Sequence, residues 1–256
     1  MINNKYCHHN NPIILQQMLT NFYIVSDLHL SERHPETTLL FACFLKDVTA
    51  LNHTLYILGD FFNYWIGDDD LSKFNRSVIA LLKDAVENGL KIYLMHGNRD
   101  FLINQQFANK SGVILLPDPS LIYDEQKHIL LMHGDLLCTD DKSYQLFRKI
   151  VRNTITKSLY LMMPLALRKK IVQIIRQRCH QKTKKVKIVD VTTTGIKRYI
   201  KECKVLIHGH THLFNQHRCE NYSRYVLGSW GETGSFIKIH NNIISLNKYK
   251  GSGFKT

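Results

Sequence analysis

Five short apolar runs, each ending in polar residues that can bind metals or move protons, constrain this chain more than any other feature. They are FYIVSDLHL (22–30), LYILGD (55–60), KIYLMHGN (91–98), HILLMHGD (128–135) and KVLIHGHTH (204–212). Each is rich in β-branched and aromatic residues and reads as a buried strand whose end opens into a loop. Between them, TTLLFACFLKDVTAL (37–51) and NRSVIALLKDAVENGL (75–90) carry apolar residues three and four apart, as helices do, and Gly89 suits a C-cap. Strands alternating with helices imply an α/β core.

After Asp135 the pattern changes. Residues 144–178, YQLFRKIVRNTITKSLYLMMPLALRKKIVQIIRQR, are helical in pattern and basic, with Pro164 interrupting them. This predicts a helical cap inserted over about 142–200. Strands resume with YVLGSW (225–230) and a hairpin, SFIKIHNNIISLNKY (235–249), turning at HNN. The net charge of +13 is concentrated in the insertion. Of 34 Lys and Arg residues, 18 lie between Lys142 and Lys204 against only Asp190 and Glu202, so the remainder is acidic by three. A solvated helical face accounts for such a run, but it also attracts phosphates, nucleic acid or acidic lipid headgroups. A nucleic-acid-binding protein is the weaker reading, because the segment interleaves few aromatics (Tyr144, Phe147, Tyr160, Tyr199) and carries no recognised binding motif.

No apolar run approaches the roughly 20 residues that span a bilayer. The N-terminal stretch lacks a sustained apolar core, so no signal peptide is expected. The six cysteines are scattered without a C-x-x-C pair, which favours reduced thiols. Both features predict a protein in the cytosol or on the cytoplasmic side of a membrane.

The run ends carry the chemistry. Asp27 and His29 sit two apart, a spacing that puts both on one face of a strand end, and His208 and His210 repeat it. Asp60, Asn98 and His133 each follow an apolar strand. In open α/β sheets, ligands bind beyond the carboxyl ends of the strands. Any one of these residues, taken singly, is a hydrogen-bonded polar group beside a turn. Seven together, all oxygen and imidazole donors, suit a divalent first-row metal, and two ions sharing a bridging carboxylate account for them better than one.

In this order the blocks DLH, GD, GN, HGD and GHTH resemble the calcineurin-like metallophosphoesterases. YILGDFFNYWIGDDD (56–70), HGNRDFL (96–102) and LMHGDLLCTDD (131–141) resemble the UDP-2,3-diacylglucosamine diphosphatase branch. The resemblance covers about 22–250 and implies one domain, a metallophosphoesterase-type β-sandwich flanked by helices with the inserted cap. It implies two Mn²⁺ ions, one held by Asp27, His29, Asp60 and His210, the other by Asp60, Asn98, His133 and His208. It further implies hydrolysis of UDP-2,3-diacylglucosamine to UMP and the diacylated glucosamine 1-phosphate in lipid A biosynthesis, a metal-activated water attacking the α-phosphorus. A peripheral place on the cytoplasmic face of the inner membrane follows, with the anionic membrane surface as partner and no nucleic acid. The alternative in the same superfamily is a broader metal-dependent nucleotide pyrophosphatase or phosphodiesterase.

HGNRDFL sharpens the substrate class. Gly97 and Asn98 read as a turn off a strand, with Asn98 offering its amide oxygen to a metal. Many superfamily members place a His next; here Arg99 stands there, which cannot donate a proton at neutral pH but can clamp diphosphate oxygens. A diphosphate's leaving group departs without protonation, so the replacement is coherent and argues against a protein phosphatase. Asp100 is expected to hold Arg99 or the loop in place. The resemblance adds Asp141, Thr183 and Lys184 to the substrate-binding set with Asn98, Arg99 and His208; Cys179 stands where a Ser is usual. The cap's apolar residues either pack on one another or form an acyl-chain groove. Residues 1–21 match nothing in the family and are expected to be a disordered extension or the product of an upstream start codon, Met18 standing where members usually begin.

Overall fold

A computed structural model gives the structure of residues 13–16, 21–51, 53–123, 128–183, 190–251 and 253. In chain order the elements are β1 (Ile13–Gln16), β2 (Asn21–Val25), α1 (Pro35–Ala50), β3 (Thr54–Leu58), α2 (Lys73–Glu87), β4 (Lys91–Met95), α3 (Gln105–Ser111), β5 (Ile114–Leu116), β6 (Ser120–Tyr123) and β7 (His128–Met132). There follow α4 (Lys142–Val151), α5 (Thr154–Met162), α6 (Leu165–Thr183), α7 (Thr193–Ile200), β8 (Val205–His208), β9 (Asn215–Arg218), β10 (Ser223–Val226), β11 (Gly234–His240) and β12 (Ile243–Tyr249).

The strands form two sheets, ordered β12-β11-β2-β3-β4-β5 and β1-β6-β7-β8-β10-β9. Side-chain alternation along β2 shows why they stack. Phe22 and Ile24, with Tyr56, Leu58, Tyr93 and Met95, point between the sheets and meet Ile129, Leu131, Val205 and Ile207. Tyr23 and Val25 point the other way, into a core with Phe41, Phe44, Leu82 and Phe107 of the first three helices. The second sheet's outer face, Leu130, Met132 and Leu206, packs on Ile196 and Ile200 of α7. Strands buried on both faces read as continuous apolar runs rather than alternating ones. The result is the expected α/β sandwich flanked by helices. β11 and β12 form the expected hairpin, with Asn241 and Asn242 at φ +47° and +63° in the turn, as a two-residue hairpin loop requires.

Two boundaries differ from expectation. Ile13–Gln16, placed by sequence in an unstructured extension, runs parallel to β6 with Ile13 opposite Ser120; the rest of residues 1–20 lies outside the described residues. The span expected as the cap, about 142–200, holds the four helices α4 to α7. Gly195 of α7 lies so close to Leu137 that an added Cβ would stand 2.3 Å from its carbonyl oxygen, so α7 belongs to the sandwich and the cap helices are α4 to α6.

The cap is pinned by its own basic residues. Arg168 is only 2 % exposed, and its Nη1 donates to the Ile66 carbonyl at 2.6 Å and to Asp69 Oδ1 at 2.9 Å, while Nη2 donates to Asp69 Oδ2. Lys169 Nζ lies 3.2 Å from Asp70 Oδ1. Asp68 accepts from Trp65 Nε1 at 2.9 Å and from the Phe107 nitrogen at 2.8 Å. The three carboxylates of WIGDDD thus brace the loop after β3, the start of α3 and the cap. Part of the segment's charge is neutralised inside the protein. Among the described residues, no helix is long and apolar enough to cross a membrane.

Candidate metal centre

The loops leaving β2, β3, β4, β7 and β8 meet at one end of the sandwich. They are held by backbone pairing: Asp27 N donates to the Gly59 carbonyl at 3.1 Å, His29 N to Asp60 O at 2.9 Å and Gly209 N to His133 O at 2.9 Å. Close approach explains two of the motif glycines. A Cβ on Gly97 would lie 2.2 Å from the Asp60 nitrogen, and one on Gly209 would lie 2.1 Å from Asp27 Oδ2. Gly97 does not adopt a positive φ; it is needed because the GD and GN loops touch backbone to backbone, not because the chain turns there.

Five polar residues at these loop starts do hold left-handed backbone: Asp27 (φ +56°), His29 (+50°), Asp60 (+49°), His210 (+65°) and His212 (+58°). Such conformations are costly for non-glycine residues and gather at functional sites. Their side chains converge. Asp60 Oδ2 lies 3.8 Å from His29 Nδ1, and Asp60 Oδ1 lies 3.8 Å from His133 Nε2. Asp60 therefore presents one oxygen to each half of the site. Asn98 Oδ1 lies 2.9 Å from His133 Nε2 and 3.0 Å from His210 Nδ1. Asp27 Oδ1 lies 3.2 Å from His212 Nε2, which is also 3.2 Å from His29 Nε2. Asp27, His29 and His212 form one group able to hold an ion, and Asp27, Asp60 and His133 another.

The structure groups these histidines differently from the pairing read from sequence. His208, expected to be a ligand with His210, is the last residue of β8; its Nδ1 donates to the Gly209 carbonyl at 2.9 Å and its Nε2 lies 3.5 Å from Arg224 Nη1. His212 stands with Asp27 and His29. On the left-handed loop His210 reaches Asn98 and His212 reaches Asp27 and His29. The missed signal is the second His of GHTH.

Burial and neighbouring charge shift the titrating groups of the centre strongly. His133 is buried, which alone would lower its pKa, but Asp60, Asp135, Asp27 and Asp118 push it up to about 9. Burial opposes ionisation of Asp27, yet the hydrogen bond from His212 and the surrounding imidazoles hold its carboxyl well below the usual range. His29, dominated by burial, falls to about 4. Its Nδ1 is buried without a hydrogen-bond partner. Converging carboxylates, an unpartnered imidazole nitrogen and no thiolate fit divalent first-row cations.

Asp100 meets expectation as a brace: it is fully buried, takes Gly97 N at 2.7 Å on Oδ1 and Phe61 N at 2.7 Å on Oδ2, and so ties the GN loop to the GD loop. Burial and Asp60 raise its pKa to about 6. Arg99 lies over the centre, Nε 3.3 Å from Asp60 Oδ2 and Nη1 donating to Asn63 Oδ1 at 2.9 Å. Beside it, a cavity of about 570 Å³ opens between the cap and the sandwich, lined by Trp65, Phe101, Phe147, Val172 and Ile175 with Asn98 and Arg99 at one end. That volume is typical of small-molecule sites. Asp141 accepts from the Tyr144 nitrogen at 2.9 Å and caps α4. Thr183 closes α6; Lys184 lies outside the described residues.

The sequence comparisons agree with this geometry. A family model described as calcineurin-like phosphoesterase matches residues 20–214. A UDP-2,3-diacylglucosamine hydrolase of Haemophilus influenzae is 44 % identical over 85 % of this chain and 94 % of its own length. Hydrolases of the same name from Pseudomonas aeruginosa (42 % identical, 85 % of this chain, 94 % of theirs) and Neisseria meningitidis (39 %, 90 % and 95 %) match similarly. The chain belongs to the calcineurin-like phosphoesterase family, among its UDP-2,3-diacylglucosamine hydrolases.

Proposed function

We propose that this chain hydrolyses the diphosphate of UDP-2,3-diacylglucosamine, releasing UMP and the diacylated glucosamine 1-phosphate. The observation that carries the reading is the placement of an apolar cavity directly against a dimetal-type centre. A broader nucleotide pyrophosphatase has no use for such a cavity; a substrate with two acyl chains does.

Asp27, His29, Asp60 and His212 would hold one ion and Asp60, Asn98, His133 and His210 the other, with Mn²⁺ the proposed metal. Bound there, the ions supply Lewis acidity at the phosphoryl oxygens and acidify the attacking water. The protein's own groups do the rest. Arg99 is held near Asp60 with its guanidinium partly exposed, where it can clamp diphosphate oxygens and offset charge developing on them. Water's oxygen joins the α-phosphorus as the bridging P–O bond breaks; the water's proton passes to solvent, and the sugar 1-phosphate departs as its phosphate anion without a proton donor, which Arg99 could not be. The cavity keeps the acyl chains out of water and fixes the lipid end of the substrate, so that the diphosphate lies at Asn98 and Arg99. Asp141, Thr183 and Lys184 remain proposed contacts to the glucosamine.

We further propose a peripheral place on an anionic membrane surface. Ile155, Leu159 and Met162 of α5 are 70 %, 61 % and 81 % exposed on a cap rich in Lys and Arg, the combination that binds acidic lipid surfaces.

The test is UMP release from UDP-2,3-diacylglucosamine with added Mn²⁺. Turnover by the wild type that collapses in Asp60→Ala is expected. No UMP from the wild type, or undiminished activity in the variant, overturns the proposal.

A further inference from the structure

We infer that Arg152 of α4 is a positioning residue for the second metal position: it fixes the turn that presents Asn98 and so ties the seated cap to the metal centre. The inference rests on the reading that Asn98, His133 and His210 hold an ion. Arg152 Nη2 donates to the Gly97 carbonyl at 2.7 Å. That carbonyl belongs to the peptide linking Gly97 to Asn98, so the bond sets the peptide plane from which the Asn98 side chain departs. The turn's other bonds come from the sandwich: Gly97 N to Asp100 Oδ1 at 2.7 Å and Arg99 N to Asp60 Oδ1 at 2.9 Å. Arg152 adds a hold from the cap.

The same helix grips the neighbouring ligand loop. Asp135, two residues beyond His133 and fully buried, accepts from Arg148 Nε at 2.7 Å and from Tyr144 OH at 2.6 Å, and Arg152 Nη2 lies 3.7 Å from the same Oδ2. The Arg152 guanidinium also sits 5.7 Å from the centre of the Phe101 ring, on the cavity wall. One side chain therefore touches the Asn98 turn, the loop after His133 and the cavity lining. Groups that orient metal ligands from behind are commonly worth 10–100-fold in metal affinity, and a charged donor on a carbonyl is a strong hydrogen bond.

The experiment measures Mn²⁺ binding to the metal-free full-length chain by calorimetry, together with the Mn²⁺ dependence of UMP release. Arg152→Met should bind the first equivalent as the wild type does and the second roughly tenfold or more weakly. Its activation curve should shift by the same factor, with kcat largely recovered at saturating Mn²⁺. Arg152→Lys, which can still give one hydrogen bond, should fall between, and it carries the test if the methionine variant does not fold. Lys149→Met removes a charge from the exposed side of the same helix and should leave both equivalents unchanged. An unshifted second equivalent in both Arg152 variants, an equal shift in Lys149→Met, or a kcat loss that Mn²⁺ does not restore overturns the inference. Asp60→Asn separates the two levels: retention of both equivalents there would sink the dimetal reading itself, whereas their loss with no Arg152 effect sinks this inference alone.

Discussion

His212 Nε2 stands 3.2 Å from Asp27 Oδ1, while His208, on the same segment, turns its imidazole toward Arg224. Replacing the two should therefore have unequal results. His212→Ala removes a donor from the cluster and is expected to lower turnover by about 100-fold or more, beyond what losing a residue behind a ligand typically costs. His208→Asn keeps a donor for the Gly209 carbonyl and should keep two bound metals and turnover within about threefold of wild type. Metal analysis of the purified variants checks both, and equal losses would return His208 to the ligand set.

The contact between Gly97 and Asp60 gives a second expectation. A methyl on Gly97 would meet the Asp60 nitrogen and Oδ1 at 2.2 Å. Backbone cannot yield cheaply, so Gly97→Ala must part the GD and GN loops. Displacements of an ångström in a catalytic centre can cost about 100-fold, and that is the expected fall in turnover. Gly231→Ala, with nothing within 4 Å of its added Cβ, is the matched control and should leave turnover unchanged.

The Asp69–Arg168 pair predicts how cap anchorage depends on pH. The hydrogen bond from Arg168 lowers the Asp69 pKa below its ordinary value of 3.8. A depressed carboxylate stabilises the folded form above the unfolded pKa and loses that contribution as pH falls through the folded value. Cap anchorage should therefore be constant from neutrality down to about pH 4 and weaken below it. Hydrogen exchange of α6 amides should accelerate in that acid range for the wild type. In Asp69→Asn it should already be faster at pH 7, by the equivalent of about 2 kcal/mol. Identical exchange in both proteins at pH 7 would contradict the role given to the pair.

The sandwich was legible in the sequence because strands buried on both faces leave continuous apolar runs, as FYIV and YIL do, and each run ends at a residue of the candidate metal centre. Asp27, His29, Asp60, Asn98, His133 and His210 all follow from that pattern. His212 did not, because two-residue alternation holds on a strand but not beyond it: after His208 the chain leaves β8, and the left-handed residues at 210 and 212 set which side chains share a face. Strand β1 was missed since it carries only IILQ and gains its place by pairing with a distant partner. In the sequence Arg152 and Arg168 register only as charge. Nothing local marks a cationic side chain that will donate to a carbonyl 55 or 102 residues away.

The exposed apolar face of α5 yields the last prediction. Ile155, Leu159 and Met162 are mostly exposed on a cap whose Lys and Arg outnumber its acids. Burying a large apolar side chain in the acyl region contributes about 1.5–3 kcal/mol, and each nearby Lys or Arg about 1 kcal/mol on an anionic surface. The protein should co-sediment with phosphatidylglycerol-containing vesicles, less with neutral phosphatidylcholine ones, and less as salt is raised. Ile155→Glu combined with Met162→Glu should reduce vesicle binding at least tenfold. Neither residue lines the cavity beside Arg99, so hydrolysis of detergent-dispersed substrate should stay near wild type. Vesicle binding that ignores lipid charge, salt and both substitutions would remove α5 as the docking face.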